Sequence, residues 1–146
     1  MQEFSPGDLV EIQIDQQLVY VLVTHDHASY PTVVRAIEGA YETRPGDLAA
    51  LGKGAAAFTV MIPLQGALRK LGLQHEVVKT IDISDIAHTF PTFRMPIRDK
   101  QGNIVYWWFW DGRGLSYEVE PNEEQNAMPL REITSAERFQ ELLQQL

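Results

Sequence analysis

The stretch PGDLVEIQIDQQLVYVLV at residues 6–23 decides the fold class. Side chains at residues 10–15 alternate between aliphatic and polar, which predicts a strand with one face in the core and one in water. Residues 15–17 favour a turn. The apolar run at residues 18–23 is short and rich in β-branched side chains, so it predicts a strand buried on both faces. Together these features predict antiparallel β structure.

Turn residues recur along the rest of the chain, and the apolar runs between them are short. Further strands are predicted at residues 32–37, 57–62, 75–81, 90–98, 104–110 and 115–120. Two prolines in the 90–98 segment indicate an edge strand or an irregular segment. Asp47 is placed to cap a single helical turn, and a polar loop is expected at residues 121–127.

Apolar residues recur at helical spacing in two segments. Residues 64–71 carry one apolar stripe, which predicts a short internal helix that Gly72 would end. A C-terminal helix is predicted with Thr134 as its N-cap. The whole pattern predicts a single domain over residues 1–146 that is mainly β (α+β). It should form an antiparallel, partly open barrel with one short internal helix and a C-terminal helix.

The composition is that of an ordinary globular domain. The chain has 146 residues, 45% of them hydrophobic and 22% charged, and no cysteine. Disulfides, thiol nucleophiles and cysteine-bound zinc are therefore excluded. The sequence shows neither a signal peptide nor an apolar run of the ~18 residues that would span a membrane. A cytoplasmic protein without membrane contact is the expectation.

The net charge bears on the class of partner. Twelve basic and 20 acidic residues give −8 at neutral pH. Phosphate repels such a chain, so nucleic-acid binding is disfavoured. The acidity serves either solubility alone or an acidic face that binds a basic partner protein.

The aromatic strand YWWFW at residues 106–110 is the strongest anomaly in the sequence. Alternation places Tyr106, Trp108 and Trp110 on one face of the strand. If that face is solvated, it is a binding surface, since tryptophan and tyrosine dominate interaction hot spots. The alternatives are a strand buried on both sides, or a mixed case with Trp107 and Phe109 in the core and Trp108 lining a groove with Arg94 or Arg98.

Basic residues concentrate around the same hairpin. An arginine beside a tryptophan can hold an anionic group or stack on the ring. The alternative is that these residues balance Asp99 and Asp111 and keep a sheet edge from aggregating. The candidate binding residues are Arg94, Arg98, Tyr106, Trp108, Trp110 and Arg113.

The sequence contains few signs of a metal site or of a catalytic motif. His25, Asp26 and His27 resemble a fragment of a metal site, but zinc needs three or four ligands, and His75 and His88 lie far away in the sequence. No Gly-x-Ser-x-Gly elbow or Walker loop occurs. No catalytic residue, metal or cofactor is therefore predicted. The alternative is a small enzyme or ligand-binding protein with a pocket near His25.

The opening FxPGDLVEI, residues 4–12, resembles the start of many SH3-like barrels, and the resemblance implies that fold. Over most of the chain the order of motifs is similar to that of a group of uncharacterised bacterial proteins. The shared pieces are residues 4–12, 23–25, 44–48, 93–94, 107–112 and 129–133. This similarity implies a fold family and carries no activity.

Two looser resemblances concern the N-terminal motif. Bacterial toxin-immunity proteins open with a comparable Gly-Asp strand, are small and often acidic, and act by covering a toxin. Endoribonuclease toxins also begin this way. However, Tyr30-Pro31-Thr32 stands here where their Arg-Pro is expected, and the net charge opposes an RNA substrate.

These observations favour a non-enzymatic protein-binding module of the immunity or antitoxin kind. Its surface is expected around residues 94–113, and its partner is expected to be basic. A further alternative is a homodimer that uses the aromatic strand as its interface.

Overall fold

The computed structural model describes residues 4–86 and 89–146. The fold is mainly β with antiparallel sheets and a few short helices, as predicted. The chain divides into two compact units. The first comprises the described parts of residues 1–88 and 133–146, and the second comprises residues 89–132. The prediction of a single domain stays a prediction.

The strands and helices follow one another in a simple order. The strands are β1 (Asp8–Ile14), β2 (Gln17–His25), β3 (Val33–Ile37), β4 (Ala56–Met61), β5 (His75–Thr80), β6 (Phe93–Arg98), β7 (Ile104–Trp110) and β8 (Leu115–Glu118). The helices are α1 (Leu48–Gly52), α2 (Leu64–Leu71), α3 (Glu123–Asn126) and α4 (Ala136–Gln144). None of these described helices is long and apolar enough to cross a membrane.

The first unit contains a five-stranded antiparallel sheet in the order β4-β3-β2-β1-β5. β4 and β5 are its edges, and no closed barrel forms among the described strands. The hairpin between β1 and β2 turns through Asp15 and Gln16, which both have positive φ, 49° and 69°. Positive φ at both central residues is the mark of a type I′ turn, whose twist matches that of the flanking strands.

Both faces of this sheet are covered. On one face, Val19, Val21 and Val23 of β2 pack in a core with side chains of α2 and α4. On the other, Tyr20 and Leu22 pack with Ile81 and Ile83 and with residues of α1. The predicted burial of β2 on both faces is confirmed.

The outer face of β1 differs from the prediction. Gln13 is exposed as expected, but Leu9 is fully buried and Glu11 is 8% exposed. Leu9 belongs to the second core, beneath Ile81 and Ile83. The segment after β5 therefore covers Leu9, which lies on the face of β1 that alternation alone assigns to water.

The helices agree with the sequence pattern with two exceptions. α2 has the predicted bounds and ends at Gly72 with a positive φ of 68°. The N-cap of α4 is Ser135, whose hydroxyl accepts the Arg138 amide, and not Thr134. α3 lies inside the predicted polar loop, where Asn122 and Gln125 form a reciprocal capping box.

The second unit contains a three-stranded antiparallel sheet in the order β6-β7-β8. β6 is an edge strand, as its prolines predict. Its outer side is partly covered, because the Arg94 amide donates to Pro129 and the Arg131 amide donates to the Arg94 carbonyl. β8 is the other edge, and all four of its residues are exposed.

Candidate functional site

The register of the second sheet decides which side chains share a face. Trp108 of β7 lies opposite Met95 of β6 and opposite Tyr117 of β8. Directly paired residues project to the same side of a sheet. One side, here called the aromatic face, therefore carries Phe93, Met95, Ile97, Tyr106, Trp108, Trp110, Leu115 and Tyr117.

Three rings of the aromatic face contact one another. The centroids of Tyr106, Trp108 and Tyr117 are 5.9, 5.8 and 5.8 Å apart, and the ring planes are inclined by 73°, 69° and 66°. These are edge-to-face contacts of the kind that aromatic pairs prefer. The three residues are called the aromatic triad below.

The aromatic triad is open to solvent at one side. Tyr117 is 61% exposed, while Tyr106 and Trp108 are partly buried. The neighbouring Leu115 and Ile104 are also exposed, by 55% and 42%. Ile104 lies beyond Tyr106 at the start of β7, and Leu115 pairs with Trp110 at its end, so exposed apolar side chains flank the triad on both sides.

Trp110, which pairs with Leu115 at the end of β7, is itself covered. Trp110 is only 7% exposed and packs against the rings of Phe90 and Phe93. The expectation that Tyr106, Trp108 and Trp110 are exposed together therefore does not hold for Trp110. The mixed pattern is correct for Phe109, which is buried, but Trp110 and not Trp107 is the buried tryptophan, while Trp107 and Trp108 are both half-buried.

An arginine side chain of the same chain lies over the ring of two of the three tryptophans. The Arg94 guanidinium lies 4.7 Å from the ring centroid of Trp107, and the Arg131 guanidinium lies 4.8 Å from that of Trp110. Arg94 also donates from Nε to the Met128 carbonyl at 2.7 Å. The register places Arg94 and Trp107 on the side opposite the aromatic face, so Arg94 does not share a groove with Trp108.

The other predicted arginines sit in the hairpin loops. Arg98 donates from Nη1 to the Gly102 carbonyl at 2.9 Å, within the β6–β7 loop. Arg113 is exposed in the β7–β8 loop. There the amides of Gly114 and Arg113 donate to the Asp111 carboxylate and hold its pKa below the usual value. Arg98 and Arg113 therefore each make a hydrogen bond within a hairpin loop.

Tyr117 is the residue of the triad that sequence reasoning missed. The sequence contains the signal, because it predicts a strand at residues 115–120 that returns from a tight turn. Pairing that strand with β7 across the loop of residues 111–114 places Tyr117 opposite Trp108. The aromatic residues of β7 are the stronger signal in the sequence, and the strand that pairs with them carries only one aromatic residue, Tyr117.

Carboxylates follow the triad in the chain. Residues 115–126, which run from β8 through α3, contain four acidic residues and no basic one. These residues are Glu118, Glu120, Glu123 and Glu124, and all four are exposed. In the described part of the chain none of them is paired with a basic side chain.

The histidine segment has a structural role. His25 is buried, with Nδ1 bonded to Thr24 Oγ1 at 2.9 Å and Nε2 to the Ile86 carbonyl at 3.2 Å. His27 accepts the Ser29 amide through Nδ1 at 3.0 Å. Within residues 4–86 and 89–146, no three His, Asp or Glu side chains are grouped closely enough to hold a metal ion. His88 lies outside the described residues.

A cavity of about 490 Å³ lies at another place in the first unit. Its lining is Glu11, Gln13, Leu18, Leu73, Gln74, His75 and Glu76, and none of residues 25–27 is among them. Beside it, Arg44 donates to both oxygens of Glu11, at 2.7 and 3.0 Å, and to Glu76 at 2.6 Å. Its guanidinium thereby holds the pKa of Glu11 below the ordinary value, and Tyr20 assists by donating to the same carboxylate at 2.8 Å.

Comparisons with known proteins give no relative from which a function could be transferred. No protein-family model, no curated protein and no solved structure matches this chain.

Proposed function

We propose that this protein is a non-enzymatic protein-binding module and that the exposed part of the aromatic face around the triad is its binding surface. The observation that carries the proposal is the aromatic triad at the surface, flanked by the exposed Leu115 and Ile104. Contiguous exposed apolar surface marks interaction sites, and tyrosine and tryptophan supply most of the energy in such sites.

The composition of the surface favours a basic protein as partner. The chain carries −8, and the strand that bears Tyr117 continues into four exposed carboxylates. Charges around an interface steer association and reject partners of the same sign. The most concrete form of the proposal is an immunity or antitoxin-like protein that covers a basic toxin. The cytoplasm stays the predicted compartment.

Site-specific photo-crosslinking in cells of the source organism tests the proposal. A photoreactive phenylalanine analogue replaces Tyr117 in one variant and Val105 in another. Val105 is a matched control, because it is 48% exposed and alternation places it on the opposite side of β7. We expect one discrete adduct with a different, basic protein from position 117 and none from position 105.

Three outcomes would contradict the proposal. A lack of any adduct from position 117, or equal adducts from both positions, would remove the aromatic face as a binding surface. An adduct consisting of two copies of this chain would replace the module with the homodimer alternative. Adding Trp108→Ala to the position-117 variant should abolish a specific adduct, and persistence of the adduct would exclude Trp108 from the contact.

A further inference from the structure

The three tryptophans of β7 differ in what lies over their rings. Trp107 has the Arg94 guanidinium at 4.7 Å, and Trp110 has the Arg131 guanidinium at 4.8 Å. Among the described residues, no arginine or lysine lies over Trp108. The ring of Trp108 is instead contacted by Tyr106 and Tyr117.

The triad has dimensions that suit a cation. Its centroids form a nearly equilateral triangle with sides of 5.8 to 5.9 Å. A point about 3 Å above the centre of that triangle lies about 4.5 Å from all three centroids, inside the ~6 Å range of cation–π attraction. Since the planes are inclined by 66° to 73°, no two of the rings stack face to face.

We propose that the aromatic triad receives the ammonium group of a lysine side chain from the basic partner protein. This inference rests on the proposed function and names the group recognised at its centre. A compact ammonium suits contact with three inclined rings, whereas a flat guanidinium stacks on one, as Arg94 does on Trp107. The net charge of −8 adds a general attraction for a cation, whereas Glu118 pairs with Trp107 and lies on the side of the sheet opposite the triad.

Nuclear magnetic resonance of the full chain tests this assignment through the three indole N–H signals. The first probe is choline, and its control is 3,3-dimethylbutan-1-ol, which has the same shape without the charge. We expect choline to shift the Trp108 signal and to bind roughly two- to fivefold more tightly than the alcohol. Trp107 and Trp110 should not respond, because an internal arginine already lies over each of their rings.

A second pair of probes tests the source of the cation. The peptide acetyl-Gly-Lys-Gly-Lys-Gly-amide should shift Trp108, and the same peptide acetylated on both lysines should not. Tyr117→Leu should remove the choline preference, whereas Val105→Ser, on the opposite side of β7, should retain it. Tyr117 is 61% exposed, so its replacement leaves the fold in place and the loss reports on the site.

Each other outcome overturns the proposal in a distinct way. Equal binding of choline and the alcohol would make the triad an apolar contact without charge preference. Binding of choline without binding of the lysine peptide would make it a site for a small quaternary ammonium compound. If position 117 still crosslinks a basic protein in either case, the proposed function stands and only the recognised group is wrong.

Discussion

At the residue scale, Glu11 is a charged side chain held within the fold. It is a buried carboxylate in the middle of β1, and its three hydrogen bonds come from Tyr20 and Arg44. The Arg44 guanidinium lowers the pKa of Glu11 in the folded state. The resulting stabilisation is present above the unfolded pKa of the carboxyl and is lost as pH falls through its folded pKa.

Replacement of Arg44 by methionine should expose this dependence. We expect Arg44→Met to lower the free energy of unfolding at pH 7, because a buried carboxylate loses its partner. The loss relative to wild type should shrink on acidification through the titration range of Glu11, since a neutral carboxyl needs no cation. Urea unfolding at a series of pH values between 7 and the acid range measures both effects. Lys70→Met is the control, because its ion pair with Glu137 is exposed at both ends.

Tyr20 offers a second test of the same network. Its hydroxyl donates to Glu11 at 2.8 Å within the core, and burial raises its pKa. Tyr20→Phe removes only that oxygen. We expect it to lower the free energy of unfolding by about 1.5–3 kcal/mol, the range for a hydrogen bond to a charged group. A neutral result would show that the Glu11–Arg44 pair alone satisfies the carboxylate.

The β1–β2 turn stores strain in two residues. Asp15 and Gln16 both have positive φ without being glycine, and this conformation is unfavourable for a residue with a Cβ. Gln16→Gly creates the Asp-Gly pair that type I′ turns prefer, and should raise the free energy of unfolding by about 0.5–1 kcal/mol. The same change at Gln13, an exposed position within β1, should lower it by a similar amount. Chemical denaturation of both variants compares the two signs.

At the scale of elements, β7 combines a core strand and a surface strand. Trp110 is buried among Phe90 and Phe93, whereas Trp108 reaches the surface two residues earlier. Trp110→Ala should therefore cost about 3–5 kcal/mol of unfolding free energy. Trp108→Ala should cost less than half as much, as measured by urea unfolding followed by near-ultraviolet circular dichroism. Equal costs would make Trp108 a core residue and remove the anchor of the proposed surface.

The sequence predicted the strands and helices better than it predicted which other segments pack against them. The apolar run of β2 and the stripe of α2 were recognised because each pattern reflects burial that continues along the element. The burial of Leu9 was not, because it depends on a segment some 70 residues later that packs on β1, and the burial of Glu11 was not, because its partners Tyr20 and Arg44 lie on other segments. α3 was missed because four polar residues resemble a loop, although Asn122 and Gln125 have the spacing of a capping box.

The candidate site was predicted in the same uneven way. The alternation of β7 correctly placed Tyr106 and Trp108 on one face. It gave no sign that Trp110 would be covered, since that depends on Phe90 and Arg131 from outside the strand. The prediction that Arg94 lines a groove with Trp108 also failed. Met95 is the residue of β6 that pairs with Trp108, and the neighbouring Arg94 projects to the opposite side of the sheet.

At the scale of the whole molecule, the open aromatic face and the net charge of −8 act in opposite directions on self-association. Apolar surface favours pairing of two copies, while like charge opposes it. We expect the charge to prevail at low ionic strength. Light scattering should give the chain mass of 16.6 kDa. A mass twice as large that reverts in Tyr117→Lys would establish the homodimer alternative.

The position of the tryptophans has a practical consequence for spectroscopy. All three lie in β7, within the second unit, and the first unit contains none among its residues. Fluorescence excited at the red edge of the tryptophan band therefore originates from the smaller sheet alone. The larger sheet is optically silent in that channel and visible through its far-ultraviolet dichroism. The chain thus carries its own label for the smaller sheet, and comparison of its fluorescence transition with far-ultraviolet dichroism, which reports both sheets, shows whether the two sheets unfold together.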